Sequence, residues 1–271
     1  MKTIRILLLL IISLLALHCV SFAAGVDVLS ELTGEATLDP GGKTDGRILL
    51  RNTSDKPWQV KVHQTDYLFY ADGSNLYGNP GSAQRSNSAW ITFTPKEFTI
   101  PPKETYSVYY TVCVPNDENL SGTFWSMLMV EPVAEGGLEA PKAEQGKVKL
   151  GVRTTIRYGV QIVTNIADSG KRDISFLDKR LLVSDNGRVL QLDIENKGDR
   201  WLKPDIRVEL YDERGTYVGR FSGGHTRIYP SCGVRVPIAL ENLKQGKYNA
   251  LVVVDNGDQY AWGAQYLLDI K

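Results

Sequence analysis

KVKLGVRTTIRYGVQIVT, residues 147–164, is the stretch on which the fold turns. Val148, Leu150, Val152, Thr154, Ile156, Tyr158, Val160 and Ile162 fall on one side of an extended chain, with Lys149, Arg153, Arg157 and Gln161 on the other. Only a strand, whose successive side chains point to opposite faces, turns that alternation into one apolar and one polar surface. The run is longer than the usual strand of about 3–10 residues. Gly151 and Gly159 interrupt it, which predicts either one long bent strand or two shorter strands in line.

The rest of the chain repeats this character. Every periodic segment beyond residue 24 is rich in β-branched and aromatic residues and is bounded by turn clusters, and no long amphipathic helix is evident. The segment 24–28 reads as a first strand and LDPGGKTDG as a turn, followed by strands at 47–52 and 58–63 joined by NTSDKP as a hairpin. Residues 71–88, ADGSNLYGNPGSAQRSNS, read as a long surface loop. Strands are expected at 90–93, 98–102 and 106–115. Residues 120–132, LSGTFWSMLMVEP, are apolar on both faces and read as a central strand. Residues 133–146 have the composition of a mobile loop.

Beyond the polar linker NIADSGKRD the all-β pattern starts again. Residues 174–184 and 189–196 flank Asp185-Asn186-Gly187, a strong hairpin signal. Residues 206–211 and 217–221 flank DERG. Tyr248 stands just before the strand 250–254, the place of the tyrosine corner in immunoglobulin-like sandwiches, and 260–270 alternates through Trp262, Ala264, Tyr266, Leu268 and Ile270. The fold class expected is all-β, two immunoglobulin-like β-sandwiches in tandem. The expected divisions are a cleaved signal peptide at 1–23, a first domain at 24–165, a linker at 166–172 and a second domain at 173–271.

The opening MKTIRILLLLIISLLALHCVSFAA has Lys2 and Arg5, an apolar run and small residues at the cleavage point, the pattern of an export signal that leaves no membrane span behind it. The 271 residues carry 31 basic and 31 acidic side chains, so loss of the leader leaves the remainder two charges negative, with no global attraction for nucleic acid. Cys113 and Cys232 are the thiols beyond the leader, one in each half, read as two isolated thiols or as one interdomain bridge. His63 and His225 stand in no metal-ligand spacing, and no nucleophile elbow or phosphate loop is present. The chain is therefore expected to be no enzyme and to need no cofactor or metal.

RILLRNTSDKP, WITFTPKEFTIPPKETYSVYYTVCVP, SGTFWSMLMVEP and TTIRYGVQI, in that order, resemble the amino-terminal domain of the periplasmic pilus chaperones, the partners of outer-membrane ushers. The resemblance covers much of 46–162. It implies a periplasmic chaperone that binds an incomplete pilus or surface subunit by adding a strand along 147–164, with an usher as a further partner. By its place in TTIRYGVQI, Arg157 matches the family's basic residue that holds the subunit's terminal carboxylate. The family's second basic residue near the start of the domain has no counterpart here, since nothing basic lies between 24 and 42, and its Tyr-Arg-Pro ending is absent.

The candidate subunit-binding residues are Arg157, Arg153 and Lys149 on the polar face, and Val148, Leu150 and Val152 on the apolar face. The basic row reads either as a contact for carboxylates or anionic polymers or as a solvent face that blunts an exposed edge; the apolar row docks a subunit or belongs to the core. Trp125, Met127 and Met129 likewise read as an adaptable binding surface or as core. The second half resembles generic bacterial immunoglobulin-like adhesion modules, including those that accompany WxL-domain proteins. The alternative function is accordingly a secreted or cell-surface module that recognises a wall polymer or a protein through loop 71–88.

Overall fold

A computed structural model describes residues 25–133, 156–184, 187–241 and 243–270. Among them the chain forms seventeen strands and one 3-10 turn, Ser88–Trp90. The first ten strands are β1 (Val26–Val28), β2 (Thr33–Leu38), β3 (Lys43–Asn52), β4 (Trp58–Phe69), β5 (Asn75–Gly78), β6 (Ile91–Thr94), β7 (Glu97–Ile100), β8 (Thr105–Cys113), β9 (Gly122–Val133) and β10 (Tyr158–Ile166). They build two facing sheets, ordered β1-β3-β8-β6 and β2-β10-β9-β4-β5, with β7 also beside β4. Ile48, Leu50, Val60, Val62, Val108, Val112, Leu128, Val130, Val160 and Ile162 meet between them in one buried core.

The remaining strands are β11 (Ile174–Ser184), β12 (Gly187–Asn196), β13 (Asp205–Asp212), β14 (Tyr217–His225), β15 (Gly233–Ala239), β16 (Gly246–Asp255) and β17 (Ala261–Ile270). They form a second sandwich, β11-β12-β15 against β14-β13-β16-β17, closed over a core that includes Leu192, Ile194, Val208, Leu210, Val252 and Leu268. The chain is thus two immunoglobulin-like sandwiches in tandem.

Several readings from sequence hold at the level of single residues. β9 is central, between β10 and β4. β11 and β12 pair up to Ser184 opposite Gly187. The Tyr248 hydroxyl donates to the Lys244 carbonyl at 3.0 Å, the upstream bond that defines a tyrosine corner. Along β17, Leu268 and Ile270 are buried and Trp262, Ala264 and Tyr266 pack on the same core.

Three readings are corrected. β3 and β4 are not a hairpin, because they lie in opposite sheets. The cause is Asn52, fully buried, whose amide donates to the carbonyls of Lys56, Ile100 and Pro101 while its oxygen accepts from the Ser54 N–H and hydroxyl. The loop is thereby wound into a connection that passes between sheets.

Residues 33–38, passed over from sequence, are β2, and β3 begins at Lys43, so the turn is confined to 39–42. Residues 71–88 are not a plain surface loop. They include β5 and then fold onto Asp66, whose carboxylate accepts from the Ala83 N–H at 2.7 Å and from the Ser86 hydroxyl at 2.5 Å. Asn87 is fully buried and donates to the Ile162 carbonyl and the Thr164 hydroxyl. Towards 85–88 the polar composition serves internal hydrogen bonds, whereas 72–77 and 79–82 are exposed as a surface loop is.

Candidate functional site

The site is built on β10 and its two edges. Along one edge β10 pairs antiparallel with β9 over its whole length, from Tyr158 opposite Val130 to Ile166 opposite Gly122. Along the other it pairs parallel with β2, but only from Gln161 opposite Thr33 onward. The amino-terminal segment explains the difference. β1 pairs with β3 in the facing sheet, Leu29 donates to the Leu49 carbonyl, and the chain then crosses to meet Gln161, whose N–H donates to Leu32 at 2.9 Å. Ahead of Gln161 no described strand lies on this side of β10.

Strand alternation fixes which groups face the opening. The Gln161 N–H points towards β2, so Gly159, of the same parity within β10, turns its N–H and C=O groups the same way, and Arg157 stands one residue ahead of the strand. Strand addition along the full stretch 147–164 is therefore corrected in extent, because residues 161–164 have both edges in use. Gly159 lies within β10 and does not break it. Its missing side chain is required by Met127, whose sulfur occupies the place a Cβ would take. The apolar and polar faces read from sequence are kept, since Tyr158, Val160 and Ile162 face the first core while Arg157 and Gln161 face away.

Arg157 is the one candidate binding residue among the described positions; Lys149, Arg153, Val148, Leu150 and Val152 lie outside them. Its side chain, 67% exposed, sets Nε 3.0 Å from Glu131 Oε1. Glu131 is opposite Lys61 on β4, and Lys61 reaches Glu97 of β7 at 3.2 Å. Glu97, Lys61 and Glu131 on three strands, and Arg157 just ahead of β10, thus stand in a row of alternating charge, with His63 Nδ1 3.8 Å from the second oxygen of Glu131. An incoming carboxylate would share the Arg157 guanidinium with Glu131.

The core reading holds for Trp125 and Met127, 3% and 5% exposed, but the core that Trp125 enters lies between the two sandwiches. Trp125 packs neither in the first core nor on an open surface but against the second sandwich, with Val163, Trp201, Tyr229 and Cys232. Tyr229, 1% exposed, is stacked between Trp125 at 4.7 Å and Trp201 at 5.1 Å, and meets Phe69 edge-on at 5.8 Å. Its hydroxyl donates to the Gln161 side-chain oxygen, on the strand that carries the open edge. Burial holds the Tyr229 phenol far above its ordinary pKa and pushes the Cys232 thiol up to about 11.

Polar bonds surround that aromatic stack. The Thr123 N–H donates to the Asp199 carbonyl at 2.8 Å, and the Trp201 N–H donates to the Thr123 hydroxyl at 3.0 Å. Arg85 joins Asp199 at 2.5 Å and the Ser121 carbonyl at 2.9 Å. Lys203 reaches Glu35 at 3.0 Å, and Arg227 reaches the Thr33 hydroxyl at 3.1 Å. Gly122, at φ +78°, lies where a Cβ would run into the Asp199 carbonyl. The two sandwiches therefore bear on one another through an interior, and the segment read as a free linker runs along it. Trp201 and Tyr229 were passed over because they stand in turn segments, where alternation carries no information. Their signal was chemical: large aromatics placed outside any strand need a buried surface of their own.

Among the described residues no group of three or more His, Cys, Asp or Glu side chains is arranged to hold a metal, and no helix is long and apolar enough to cross a membrane.

No family model matches the chain, and no curated protein matches it. Solved structures resemble it in fold. A chain from a chaperone–tip adhesin complex of CFA/I fimbriae biogenesis is 12% identical, with a TM-score of 0.48 over 90% of this chain and 98% of that one. The class 5 fimbriae chaperone CfaA is 11% identical, with a TM-score of 0.46 over 89% and 98%. A chain from the CsuC–CsuE chaperone–tip adhesion subunit pre-assembly complex of Acinetobacter baumannii Csu pili is 11% identical, with a TM-score of 0.42 over 88% and 97%.

Proposed function

We propose that the protein is a periplasmic, non-catalytic chaperone-like binder of pilus or surface subunits, and that it takes a strand of the subunit onto β10 ahead of Gln161. The carrying observation is the edge itself: β2 covers β10 only from Gln161 onward, and Gly159 turns its backbone groups towards the uncovered side, with Arg157 next in that parity one residue ahead of the strand. An unpaired edge supplies main-chain hydrogen bonds to an added strand, and alternate side chains supply its selectivity. In sequence the same alternation continues upstream through Val152, Leu150 and Val148, opposite Arg153 and Lys149. The resemblance of TTIRYGVQI and SGTFWSMLMVEP to the pilus chaperones supports the same reading. Arg157 meets Glu131 through Nε alone and is 67% exposed, which leaves its remaining guanidinium N–H groups to a subunit carboxylate.

Two substitutions at one position test this. Arg157→Pro deletes an outward N–H and favours an extended residue before it, leaving the β9 ladder untouched. Arg157→Ala removes the charge alone. Co-expressed with a pilus-type subunit of the same host, Arg157→Pro is expected to lower recovery of the complex about tenfold, a step of about 1.4 kcal/mol, and Arg157→Ala much less. Equal recovery from Arg157→Pro and the unmodified protein would sink the edge; a loss as large with Arg157→Ala would restore the guanidinium as the anchor. In the alternative of a wall-binding module acting through 71–88, contact would fall to the exposed residues 72–77 and 79–82, since Asp66, Ser86, Asn87 and Arg85 tie down only the end of that segment.

A further inference from the structure

The second sandwich has four rim strands, β11, β15, β14 and β17. A long regular rim is a template for another chain, and proteins blunt such rims with bulges, charges, proline or short length. β11 is blunted by a register shift between Phe176 and Asp178 and by Asp178, Lys179 and Arg180. β14 shifts register twice against β13. β15 contains Pro237. Leu240 donates to the Arg188 carbonyl, so alternation places the missing donor of Pro237 on the open side.

β17 carries none of these devices. Its ten residues pair with β16 without a shift, from Ala261 opposite Asp255 to Ile270 opposite Gly246, and Asp269 is its single charge. The rims of the first sandwich are kept short, with three residues in β1, six in β2 and four each in β5, β6 and β7. The Tyr260 carbonyl accepts from Asn256 on the β16 side. The alternation therefore turns the N–H and C=O groups of Ala261, Gly263, Gln265, Leu267 and Asp269 outward. On the outer face beside them Leu267 is 63% exposed, next to an open concavity of about 600 Å³ lined by Tyr211, Leu251 and Gln265.

We propose that β17 pairs with β17 of a second copy of this chain, antiparallel about a two-fold axis through Gln265, joining two four-stranded sheets into one of eight. The strand's own complementarity selects that occupant. In this register Leu267 lies opposite Gly263 of the second copy and fills the gap the glycine leaves. Asp269 lies opposite Ala261 of the second copy, so no like charges face each other. Gln265 meets Gln265, two neutral amides able to donate and accept across the axis.

Sedimentation equilibrium of the purified full chain over a concentration series reads the result. The expected mass at high concentration is twice that of the monomer. Leu267→Lys, which places a charge on each side of the axis, and Gln265→Pro, which removes an outward donor while sparing the β16 ladder, are each expected to return the monomer with an unchanged far-ultraviolet spectrum. In a Cys113→Ser background, Gln265→Cys should form an intermolecular disulfide, because facing residues of a bonded antiparallel pair stand about 5.5 Å apart at Cα, within the range a disulfide spans. A monomer at every concentration, or a dimer that survives Leu267→Lys and yields no such cross-link, overturns the proposal.

Discussion

Tyr229 concentrates the physics of this molecule in one side chain. Between two indole faces it gains stacking beyond its area burial, and its hydroxyl reaches Gln161 on the strand that bears the open edge. Tyr229→Phe keeps the stack and removes the donor of the half-buried Gln161 oxygen, an expected loss of about 0.5–1.5 kcal/mol for one hydrogen bond, measured by urea unfolding. Cys232, in the same cluster, gives a second test. Its thiol is buried and held up to about 11 from 9.0, whereas Cys113 is exposed. In the native protein a maleimide should label Cys113 within the dead time and Cys232 only after unfolding. The sign of the pH effect follows. A thiol whose folded pKa is raised stays protonated when folded while the unfolded thiol ionises. Its stabilisation is complete below pH 9 and is lost as pH rises from 9 towards 11. Cys232→Ser should flatten that part of the stability profile. None of this was legible in the sequence, where Tyr229 and Cys232 sit in a short turn, TRIYPSCG, without periodicity.

The elements divide sharply into those the alternation revealed and those it could not. Of the strand expected at 147–164, β10 takes 158–164 and adds 165–166, with the expected faces, because Tyr158, Val160 and Ile162 recur at a period of two against Gln161. β2, TGEATL, escaped because its side chains are half-buried at most and the rim it forms is polar. The pairing of β3 was misjudged because a turn-rich hexapeptide says that the chain reverses but not which sheet receives it; the buried amide of Asn52 decides that. At Gly122, where β9 begins, the left-handed backbone and the adjacent Asp199 carbonyl leave no room for a side chain. Gly122→Ala is expected to cost about 1–3 kcal/mol through backbone strain and to weaken the Thr123–Asp199 bond, seen as faster exchange of the Thr123 amide with the rest of β9 unchanged.

The two sandwiches share an aromatic interior bordered by Arg85–Asp199 and Lys203–Glu35, so at the scale of the whole molecule they are expected to unfold together. Calorimetry should show one transition. Trp201→Ala, which removes one side of the Tyr229 stack at a cost of about 3–5 kcal/mol, should split it into two. Gln161, where β2 stops covering β10, meets the second sandwich through the Tyr229 hydroxyl. The most direct test of the open edge is amide hydrogen exchange at Arg157, Tyr158, Gly159 and Val160, for the protein alone and in complex with a pilus-type subunit of its host. In the free protein Tyr158 and Val160, directed at β9, should exchange slowly and Arg157 and Gly159 rapidly, and in the complex Arg157 and Gly159 should become protected. Slow exchange at Gly159 in the free protein, or no change there on binding the subunit, would contradict strand addition at β10.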